Sequence, residues 1–494
     1  MSPSLGLKRV PTYLEGFDLI AGGGLPKGRL TLLAGTAGSG KTIFATQFLV
    51  EGIRQAGENV VFVTFEESSE DLRQNVAGFG WDIAGWEREG RWAFVDGSQV
   101  AHDEGSVVGS YDLGGLLARI ELAVVKMKAK RVVLDSFSAV LHQFPDLATI
   151  RSEFFLIASR LKSLGTTAIV TAERATDYGD ISRSGVEEFV ADNVILLRNV
   201  LEDQKRHRTV EVLKFRGAGH LRGEFPATIL PTVGMIVVPL ALTELSKQRS
   251  SAIRVTSGVR VLDEMAGGGF FRNSVTLVSG ATGSGKTLLV SEFLRGGVEN
   301  GERVLLLAFE ESPQQLARNA SGWGIDFDAM ERTGRLRIIS QYPERTGPEE
   351  HLVRIKNVVD EFHPDRVVID SLSAIERVTG GKGFPEFVLG LSSYIKERDI
   401  TGLFTTTTER LLGGTSITDS HISTVTDTVI LLRYFERRGT VHRAITILKM
   451  QGSSHDPSIR AFTITDKGMQ IGEPLQDVTG ILTGLPIEDP AQPQ

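Results

Sequence analysis

The sequence feature that most constrains this chain is a glycine-rich octapeptide that occurs twice. The first copy consists of Gly35, Thr36, Ala37, Gly38, Ser39, Gly40, Lys41 and Thr42, and Ile43 follows it. The second copy consists of Gly280, Ala281, Thr282, Gly283, Ser284, Gly285, Lys286 and Thr287, and Leu288 follows it. Both fit the pattern of a glycine, any four residues, and then Gly-Lys-Ser/Thr, preceded by a short apolar run and followed by a helical pattern. This pattern is typical of a loop that binds the phosphates of a nucleotide with backbone N–H groups at a helix N-terminus. The lysine adds a positive charge, and the Thr42 or Thr287 hydroxyl is suited to bind Mg²⁺.

The residues around the two octapeptides repeat as well. The matched blocks, in the same order in both halves, are 65–68 with 309–312, 133–136 with 368–371, 173–174 with 409–410, and 192–198 with 427–433. A repeat of this length is the mark of a duplicated domain. The 494 residues therefore predict two nucleotide-binding domains, 1–246 and 247–484, and a short mobile tail over 485–494.

Apolar runs alternate with amphipathic stretches in each half, which predicts an α/β fold. The runs are 60–65, 131–135, 167–172 and 193–198 in the first half, and 304–309, 366–370, 400–406 and 428–432 in the second. Strands that are apolar throughout are covered on both faces, so each sheet should be mostly parallel and lie between helices. Residues 116–128, 152–164 and 350–362 have helical spacing.

Composition excludes several classes of protein. The chain lacks cysteine, which rules out a disulfide framework, a thiol nucleophile and cysteine-ligated zinc. The net charge of −7 argues against a nucleic-acid-binding surface. The N-terminus lacks an apolar signal region, and no run of about 20 apolar residues occurs. These features predict a soluble cytoplasmic protein without a membrane partner.

Carboxylates follow two strands in each half. Glu66 and Glu67, like Glu310 and Glu311, come just after an apolar run and could activate the attacking water or hydroxyl. Their alternative role is to begin a helix, although Ser68 explains the helix start better. Asp135 and Asp370 end the next apolar run, at the position that holds Mg²⁺ in P-loop proteins, and Glu310 is a further candidate ligand. An aspartate at a strand end can also be a simple turn residue.

The two halves differ near their ends. The first half has Lys214, Phe215 and Arg216, and the second has Lys449 and Gln451 at the matching positions. The cations could reach the nucleotide of a neighbouring subunit, whereas a glutamine brings no charge to a phosphate. A solvated pair on an edge strand is the alternative.

A hydroxyl-rich segment occurs only in the second half, over residues 415–428. Ser423 and Thr424 align with Glu188 and Phe189, and Thr418 aligns with Arg183. The first half has other residues at these positions, so hydrogen bonds within a turn do not explain why the second half has hydroxyls there. They are candidate phosphate acceptors, and a Ser/Thr-rich strand entry is the alternative.

These features resemble the KaiC family of circadian clock ATPases and autokinases. The likeness runs from about Tyr13 to Pro486 and depends on the two phosphate loops, the paired glutamates and the hydroxyl segment 416–424. The resemblance implies two RecA-like P-loop domains, each binding ATP and Mg²⁺, that assemble as a homohexamer of two stacked rings. It implies ATP hydrolysis in the first ring, with Glu66 and Glu67 acting on water. It further implies reversible phosphorylation of Ser423 and Thr424 in the second ring, with Glu310 as the base.

The resemblance also implies roles for residues further from the phosphate loops. Trp323, Arg443, Lys449 and Gln451 correspond to residues near the second nucleotide, and Lys214, Phe215, Arg216 and His220 to residues that reach the first. For Trp323 a core or surface aromatic is the alternative. A KaiB-like partner would dock on the first ring. The chain ends eight residues after Pro486, which argues against the KaiA-like partner that binds a longer tail.

Two other functions compete with an autokinase. An ATP-gated scaffold would assemble and recruit a partner, with chemistry only in the first ring. A RecA-type DNA-dependent ATPase would show salt-dependent DNA affinity, and the acidic composition argues against it.

Overall fold

A computed structural model gives the three-dimensional structure of the chain. It describes residues 7–97, 113–138, 146–182, 187–202, 205–239, 250–343, 347–408, 422–476, 478–482 and 487–488. The chain divides into two compact units, Met1–Pro239 and Leu240–Gln494. The expected boundary between residues 246 and 247 lies outside the described residues.

The first unit is built from eleven strands and seven α-helices in its described residues. The strands are β1 (Arg9–Val10), β2 (Leu25–Pro26), β3 (Leu30–Gly35), β4 (Val60–Thr64), β5 (Trp92–Asp96), β6 (Arg131–Asp135), β7 (Thr167–Glu173), β8 (Asn193–Glu202), β9 (Lys205–Phe215), β10 (Glu224–Leu230) and β11 (Gly234–Val237). The helices are α1 (Phe17–Ile20), α2 (Lys41–Ala56), α3 (Ser69–Val76), α4 (Ile83–Arg88), α5 (Leu113–Met127), α6 (Leu147–Ser163) and α7 (Glu187–Val190).

The second unit repeats this order. Its strands are β12 (Arg254–Val255), β13 (Phe270–Phe271), β14 (Val275–Gly280), β15 (Val304–Ala308), β16 (Leu336–Ser340), β17 (Arg366–Asp370), β18 (Thr401–Thr407), β19 (Thr428–Arg437), β20 (Thr440–Met450), β21 (Arg460–Thr465), β22 (Gly468–Pro474), β23 (Val478–Thr479) and β24 (Ile487–Glu488). Its helices are α8 (Arg260–Met265), α9 (Lys286–Glu299), α10 (Pro313–Ser321), α11 (Phe327–Arg332), α12 (Pro348–Phe362) and α13 (Leu372–Glu397).

Each unit contains one nine-stranded sheet. The strand order is β5-β4-β6-β7-β3-β8-β9-β10-β11 in the first unit and β16-β15-β17-β18-β14-β19-β20-β21-β22 in the second. The pairs from β5 to β8 and from β16 to β19 are parallel, and the remaining three strands of each sheet extend it by antiparallel pairing. The predicted α/β fold with mostly parallel sheets is therefore confirmed. The sequence reading did not anticipate the antiparallel extension, in which strands such as β9 and β21 are less buried than the central parallel strands.

The strand that carries each phosphate loop lies in the interior of the sheet. All six residues of β3 and all six of β14 are buried, because helices cover both faces. Their amino ends begin level with the starts of β8 and β19, so the loops at their carboxyl ends lie on the opposite edge of the sheet from residues that precede β8 or β19. This separation decides which of the predicted residues can meet within one chain.

In the described part of the chain, no helix combines the length and the apolar character needed to cross a membrane.

Candidate nucleotide-binding sites

The two phosphate loops have the backbone shape that their glycines predict. In the first, Gly38 and Gly40 have φ of 74° and 97°, and in the second, Gly283 and Gly285 have φ of 76° and 105°. These left-handed conformations favour glycine. The helices α2 and α9 then start at Lys41 and Lys286 without a side-chain cap, so their first N–H groups remain available to an anion.

The loop lysines contact the carbonyl oxygens of their own loops. Lys41 Nζ donates to Gly35 O at 2.9 Å and to Thr36 O at 3.1 Å. Lys286 Nζ donates to Gly280 O at 2.9 Å and Ala281 O at 3.0 Å, and burial lowers the pKa of this ammonium. Desolvation disfavours the charged form of Lys286, and the negative charge of a phosphate beside it would compensate for that cost.

One serine in each loop has a buried hydroxyl that could hydrogen-bond to a ligand. The hydroxyl oxygens of Ser39 and Ser284 are buried and find no hydrogen-bond partner among the described residues. A Cβ at Gly35 or Gly280 would lie 2.5 or 2.6 Å from that hydroxyl, so a side chain there would displace it. Unsatisfied donors inside a ring of N–H groups fit a triphosphate. The residues present therefore fit ATP.

The aspartate at the end of β17 lies beside the second phosphate loop, although it follows that loop by many residues in sequence. Asp370 accepts hydrogen bonds from Thr287 Oγ1 at 3.1 Å and from Thr405 Oγ1 at 2.5 Å. Burial raises the pKa of Asp370, which disfavours its charge in the absence of a cation. In the first unit Asp135 accepts a short hydrogen bond from Thr171 Oγ1. Thr287 and Asp370 thus form the pair of oxygen ligands expected at a magnesium site.

The described residues contain no group of three or more His, Cys, Asp or Glu side chains that could enclose a metal ion. Mg²⁺ in nucleotide sites commonly keeps its waters and phosphate oxygens and takes only one or two protein ligands. One hydroxyl and one carboxylate, such as Thr287 and Asp370 in the second unit, are enough for such a site. Thr42 and Asp135 remain the predicted pair of the first unit.

The first glutamate of each pair is oriented by the serine that follows the aspartate. Ser136 Oγ donates to Glu66 Oε1 at 3.1 Å, and Ser371 Oγ donates to Glu310 Oε2 at 3.0 Å. In the second unit Arg377 Nη2 also donates to Glu310 Oε1 at 2.7 Å. These contacts hold both carboxylates beside the carboxyl ends of the central strands.

The second glutamate of each pair is bound by an asparagine of the next helix. Asn75 Nδ2 lies 3.5 Å from Glu67 Oε2, and Asn319 Nδ2 donates to Glu311 Oε2 at 3.1 Å. Burial, followed by the nearby Asp370 carboxylate, raises the pKa of Glu311. The next residue caps each helix: Ser68 and Ser312 accept the N–H of the third helical residue. Helix capping therefore does not require the glutamates.

Two arginines contact the phosphate loops from the antiparallel strands. Arg443 Nε donates to Gly283 O at 3.4 Å, which agrees with its predicted place near the second loop. Arg208 Nε donates to Gly38 O at 3.3 Å in the first unit, and sequence reasoning missed it. The alignment that pairs Lys214 with Lys449 also pairs Arg208 with Arg443, so the repeat itself contained the signal.

The structure places the other predicted cations away from the loop of their own unit. Lys214, Phe215 and Arg216 lie at the end of β9, level with the start of β8, and Lys449 and Gln451 occupy the same place in the second unit. β9 lies between β8 and β10, so the interpretation of an edge strand is wrong. The first residue of β8, Asn193, and the residue of β8 that pairs with Gly35, Leu197, are four residues apart, which corresponds to about 13 Å along the strand. This distance separates them from the phosphate loop of their own unit.

His220 and Trp323 also lie outside the loops. His220 packs edge-on against Phe215 with ring centroids 5.5 Å apart, and its Nδ1 atom is buried without a partner among the described residues. Trp323 is half-buried and packs against the apolar core of the second unit. A core contact therefore explains part of the Trp323 side chain without a nucleotide.

The candidate acceptor residues form a turn before β19. Ser423 and Thr424 belong to the 3₁₀ turn Ile422–Thr424, in which Ser423 is half-buried and Thr424 exposed. Lys449 Nζ donates to Ser423 O at 2.8 Å and to Thr426 O at 2.6 Å. Thr418, the third hydroxyl among the candidate acceptors, lies outside the described residues.

Two phosphate loops, each followed by a helix and flanked by an aspartate and paired glutamates, define a tandem P-loop nucleoside triphosphatase with RecA-like domains. Comparison with known proteins specifies the family. A family model described as "ATPase: KaiC" matches residues 10–241 and 255–476. The chain therefore belongs to the KaiC family of ATPases.

Several curated relatives are similar over nearly the whole chain. The circadian clock protein KaiC3 of Synechocystis sp. is 58% identical over 98% of this chain and 95% of its own length. The circadian clock oscillator protein KaiC of Thermostichus vulcanus is 51% identical over 98% of this chain and 92% of its own. KaiC of Synechococcus elongatus is 49% identical over 97% and 92%.

Replacing Thr405 by valine should raise the Mg²⁺ concentration that the second unit requires by about tenfold, because an unsupported carboxylate is a poorer metal ligand. The Thr405 hydroxyl is a direct hydrogen-bond donor to Asp370. The measurement is a Mg²⁺ titration of nucleotide-dependent thermal stabilisation. Thr401→Val is the matched control, because Thr401 is equally buried but lies at the other end of β18. An unchanged requirement in Thr405→Val would contradict this role.

Proposed function

We propose that this protein is a Mg²⁺-ATP-dependent ATPase and serine/threonine autokinase that acts as a homohexamer of two stacked rings. The first domain hydrolyses ATP. The second transfers the terminal phosphate to Ser423 and Thr424 of an adjacent subunit and can reverse this transfer. The proposal assigns a timing or stress-linked signalling role to a protein of the cytoplasm.

The observation that carries the proposal is the lysine contact with the acceptor turn. In the first unit Lys214 Nζ donates to Glu188 O at 3.1 Å and to Ala191 O at 3.0 Å. Lys449 makes the same double contact in the second unit, where the turn presents Ser423 and Thr424 instead of acids and apolar residues. The same backbone support therefore holds a turn with hydroxyls in the second unit alone. A scaffold without transfer chemistry would have no need for this difference.

Transfer must take place between subunits. Thr428 pairs with Thr276 at the start of β14, whereas Leu432 pairs with Gly280 at the phosphate loop. Four residues of strand correspond to about 13 Å, and the acceptor turn precedes Thr428. A head-to-tail ring brings the amino edge of one subunit's sheet against the carboxyl edge of the next. The same packing would bring Lys214, Arg216 and His220 to the neighbouring first-domain nucleotide.

The residues of each site divide the chemistry between them. Mg²⁺, when bound, neutralises charge on the phosphates. Lys286 and the loop N–H groups bind the triphosphate, and Thr287 and Asp370 supply metal ligands. Glu310, held by Ser371 and Arg377, accepts the proton of the attacking hydroxyl. In the first domain Glu66 and Glu67 orient and deprotonate water in the same way.

A KaiB-like partner is part of the proposal and would dock on the first ring. A KaiA-like partner is not, and neither is nucleic acid, because the acidic chain disfavours a polyanion.

Incubation with Mg²⁺-ATP at several temperatures, followed by mass spectrometry of the peptide that contains residues 423 and 424, tests the proposal. We expect phosphate on Ser423 and Thr424, and the loss of one site each in Ser423→Ala and Thr424→Ala. Nucleotide-dependent assembly without phosphate at either residue would establish an ATP-gated scaffold instead. Hydrolysis stimulated by DNA, with salt-dependent DNA affinity, would establish a DNA motor.

A further inference from the structure

The first domain contains a cleft beside the amino end of β8. Its volume is about 400 Å³, and it is lined by Ala148, Arg151, Ser152, Phe155, Val190 and Arg216. The first four residues belong to α6, Val190 ends α7, and Arg216 follows β9. Two guanidinium groups from separate elements therefore border one cleft.

The described residues do not fully neutralise either arginine. Arg216 is 57% exposed and lies 3.6 Å from Asp192, a carboxylate that Arg29 contacts more closely, at 2.8 Å. Arg151 is exposed and makes no ion pair with the described residues. Phe155 is 65% exposed, which leaves an apolar side chain beside the two charges. Such an arrangement is suited to an anion brought by another molecule.

The second domain has lost both charges at the equivalent positions. Thr171 and Thr405 occupy equivalent positions, because each donates to the aspartate at the end of the neighbouring strand. Aligning the two domains on these threonines also matches four pairs of buried residues along α6 and α13. The four pairs are Ile150 with Phe384, Phe154 with Val388, Ile157 with Leu391, and Leu161 with Ile395. In the same alignment Pro385 takes the place of Arg151. From Asp192 and Asp427 onward the alignment shifts by one residue, and Gln451 takes the place of Arg216, because both N–H groups donate to the carbonyl of that aspartate.

The cleft cannot serve the phosphate loop of its own domain. Arg216 N donates to Asp192 O, directly before β8, whereas the loop glycine Gly35 pairs with Leu197. These levels are separated by at least about 13 Å of strand. An anion in this cleft would therefore come from another source than that loop.

We propose that Arg151 is a catalytic residue in trans, which acts with Arg216 on the terminal phosphate of the ATP held by the first domain of the neighbouring subunit. This inference depends on the head-to-tail ring of the proposed function and adds Arg151 to it. In this proposal the first domain, which has both arginines, hydrolyses ATP, and the second domain, which lacks both, transfers phosphate to a hydroxyl.

The step is the hydrolysis of ATP. A water oxygen bonds to the terminal phosphorus, the bond from that phosphorus to the bridging oxygen of ADP breaks, and the water proton passes to the Glu66 or Glu67 carboxylate. In the transition state, negative charge develops on the oxygens of the phosphoryl group that is being transferred, and a guanidinium stabilises this charge. Arg151 would supply this charge together with Arg216.

The first measurement is steady-state phosphate release in full-length chains that also carry Glu310→Gln, so that turnover reports on the first domain. Arg151→Ala should lower it at least about tenfold. Arg160→Ala is the matched control on the same helix, where Arg160 lies 3.6 Å from Glu121, and should leave the rate unchanged. An Arg151→Ala rate within twofold of the control would overturn the proposal.

The second measurement distinguishes action in trans from a structural effect. Arg151→Ala chains, which retain Glu66 and Glu67, are mixed before assembly with Glu66→Gln/Glu67→Gln chains, which retain Arg151. Mixed rings should recover roughly a quarter of the normal rate, because random pairing makes about one interface in four complete. Mixed rings in native mass spectra that give no recovery would overturn the role of Arg151. The absence of rings from every sample, the unaltered chain included, would instead refute the ring of the proposed function and with it the trans role of Arg151.

Discussion

Replacing Glu66 and Glu67 together by glutamine is expected to lower ATP hydrolysis in the first domain by about 10²–10⁴-fold, the usual contribution of a general base. Glutamine keeps the hydrogen bond from Ser136 to residue 66 but cannot accept a proton from water. The rate is measured as phosphate release in chains carrying Glu310→Gln. Phosphorylation of Ser423 and Thr424 should persist when Glu310 is restored.

Glu70→Gln is the control for this experiment. Glu70 lies on α3 just after the glutamate pair and is 69% exposed, and in the described structure it pairs with Arg73 and Gln74 of the same helix. Its replacement removes a nearby negative charge without touching the phosphate loop, so hydrolysis should stay within about twofold of normal. A double variant that hydrolyses as fast as this control would show that another group activates the water.

Replacing Glu310 by glutamine should abolish phosphate transfer to Ser423 and Thr424, a loss of about 10²–10⁴-fold, while first-domain hydrolysis continues. Ser371 and Arg377 both donate to Glu310, so its carboxylate is directed by two groups and is only 40% exposed. The measurement is phosphate incorporation into the acceptor peptide by mass spectrometry, with ATP binding checked by thermal stabilisation.

Glu361→Gln controls for the change of charge, because Glu361 is exposed and pairs with Arg337 on the surface. Normal phosphate incorporation in Glu310→Gln would exclude Glu310 as the base. Glu311, whose pKa is raised by burial, would then be the next candidate and would require its own glutamine variant.

The two domains thus share one nucleotide-binding arrangement but differ in what another copy can bring to it. The first domain presents Arg151 and Arg216 at the amino edge of its sheet, and the second presents Ser423 and Thr424 there. Duplication preserved the cradle, because any change in its glycines would displace phosphate-binding groups. The opposite edge differs between the two domains, and in each domain it lies about 13 Å along the strand from the phosphate loop.

The duplicated octapeptide was predictable because its information is local. A strand, a glycine turn and a helix lie within about 25 residues, and φ values near 75° to 105° at Gly38, Gly40, Gly283 and Gly285 are what glycine allows. The apolar runs predicted the central strands to within a few residues for the same reason. Asp135 and Asp370 were also predictable, since parallel strands end on one edge of a sheet.

The contacts of the proposed catalytic carboxylates could not be predicted in this way. Ser136 reaches Glu66 across 70 residues, Thr405 reaches Asp370 across 35, and Arg208 reaches Gly38 across 170. No periodicity relates residues so far apart in sequence. The repeat alignment could have indicated Arg208 through Arg443, but only the fold shows what either arginine contacts.

By itself the sequence determined that this protein has two ATP-type cradles, that hydroxyls follow only in the second half, and that the chain is of the KaiC type. The tertiary structure decided which residues cannot meet within one subunit. Parallel strands of fixed register hold Lys214, Arg216, Ser423 and Thr424 on the edge opposite the phosphate loops. Because a strand of paired residues cannot shorten, that distance persists, and the roles proposed for these four residues require a neighbouring copy.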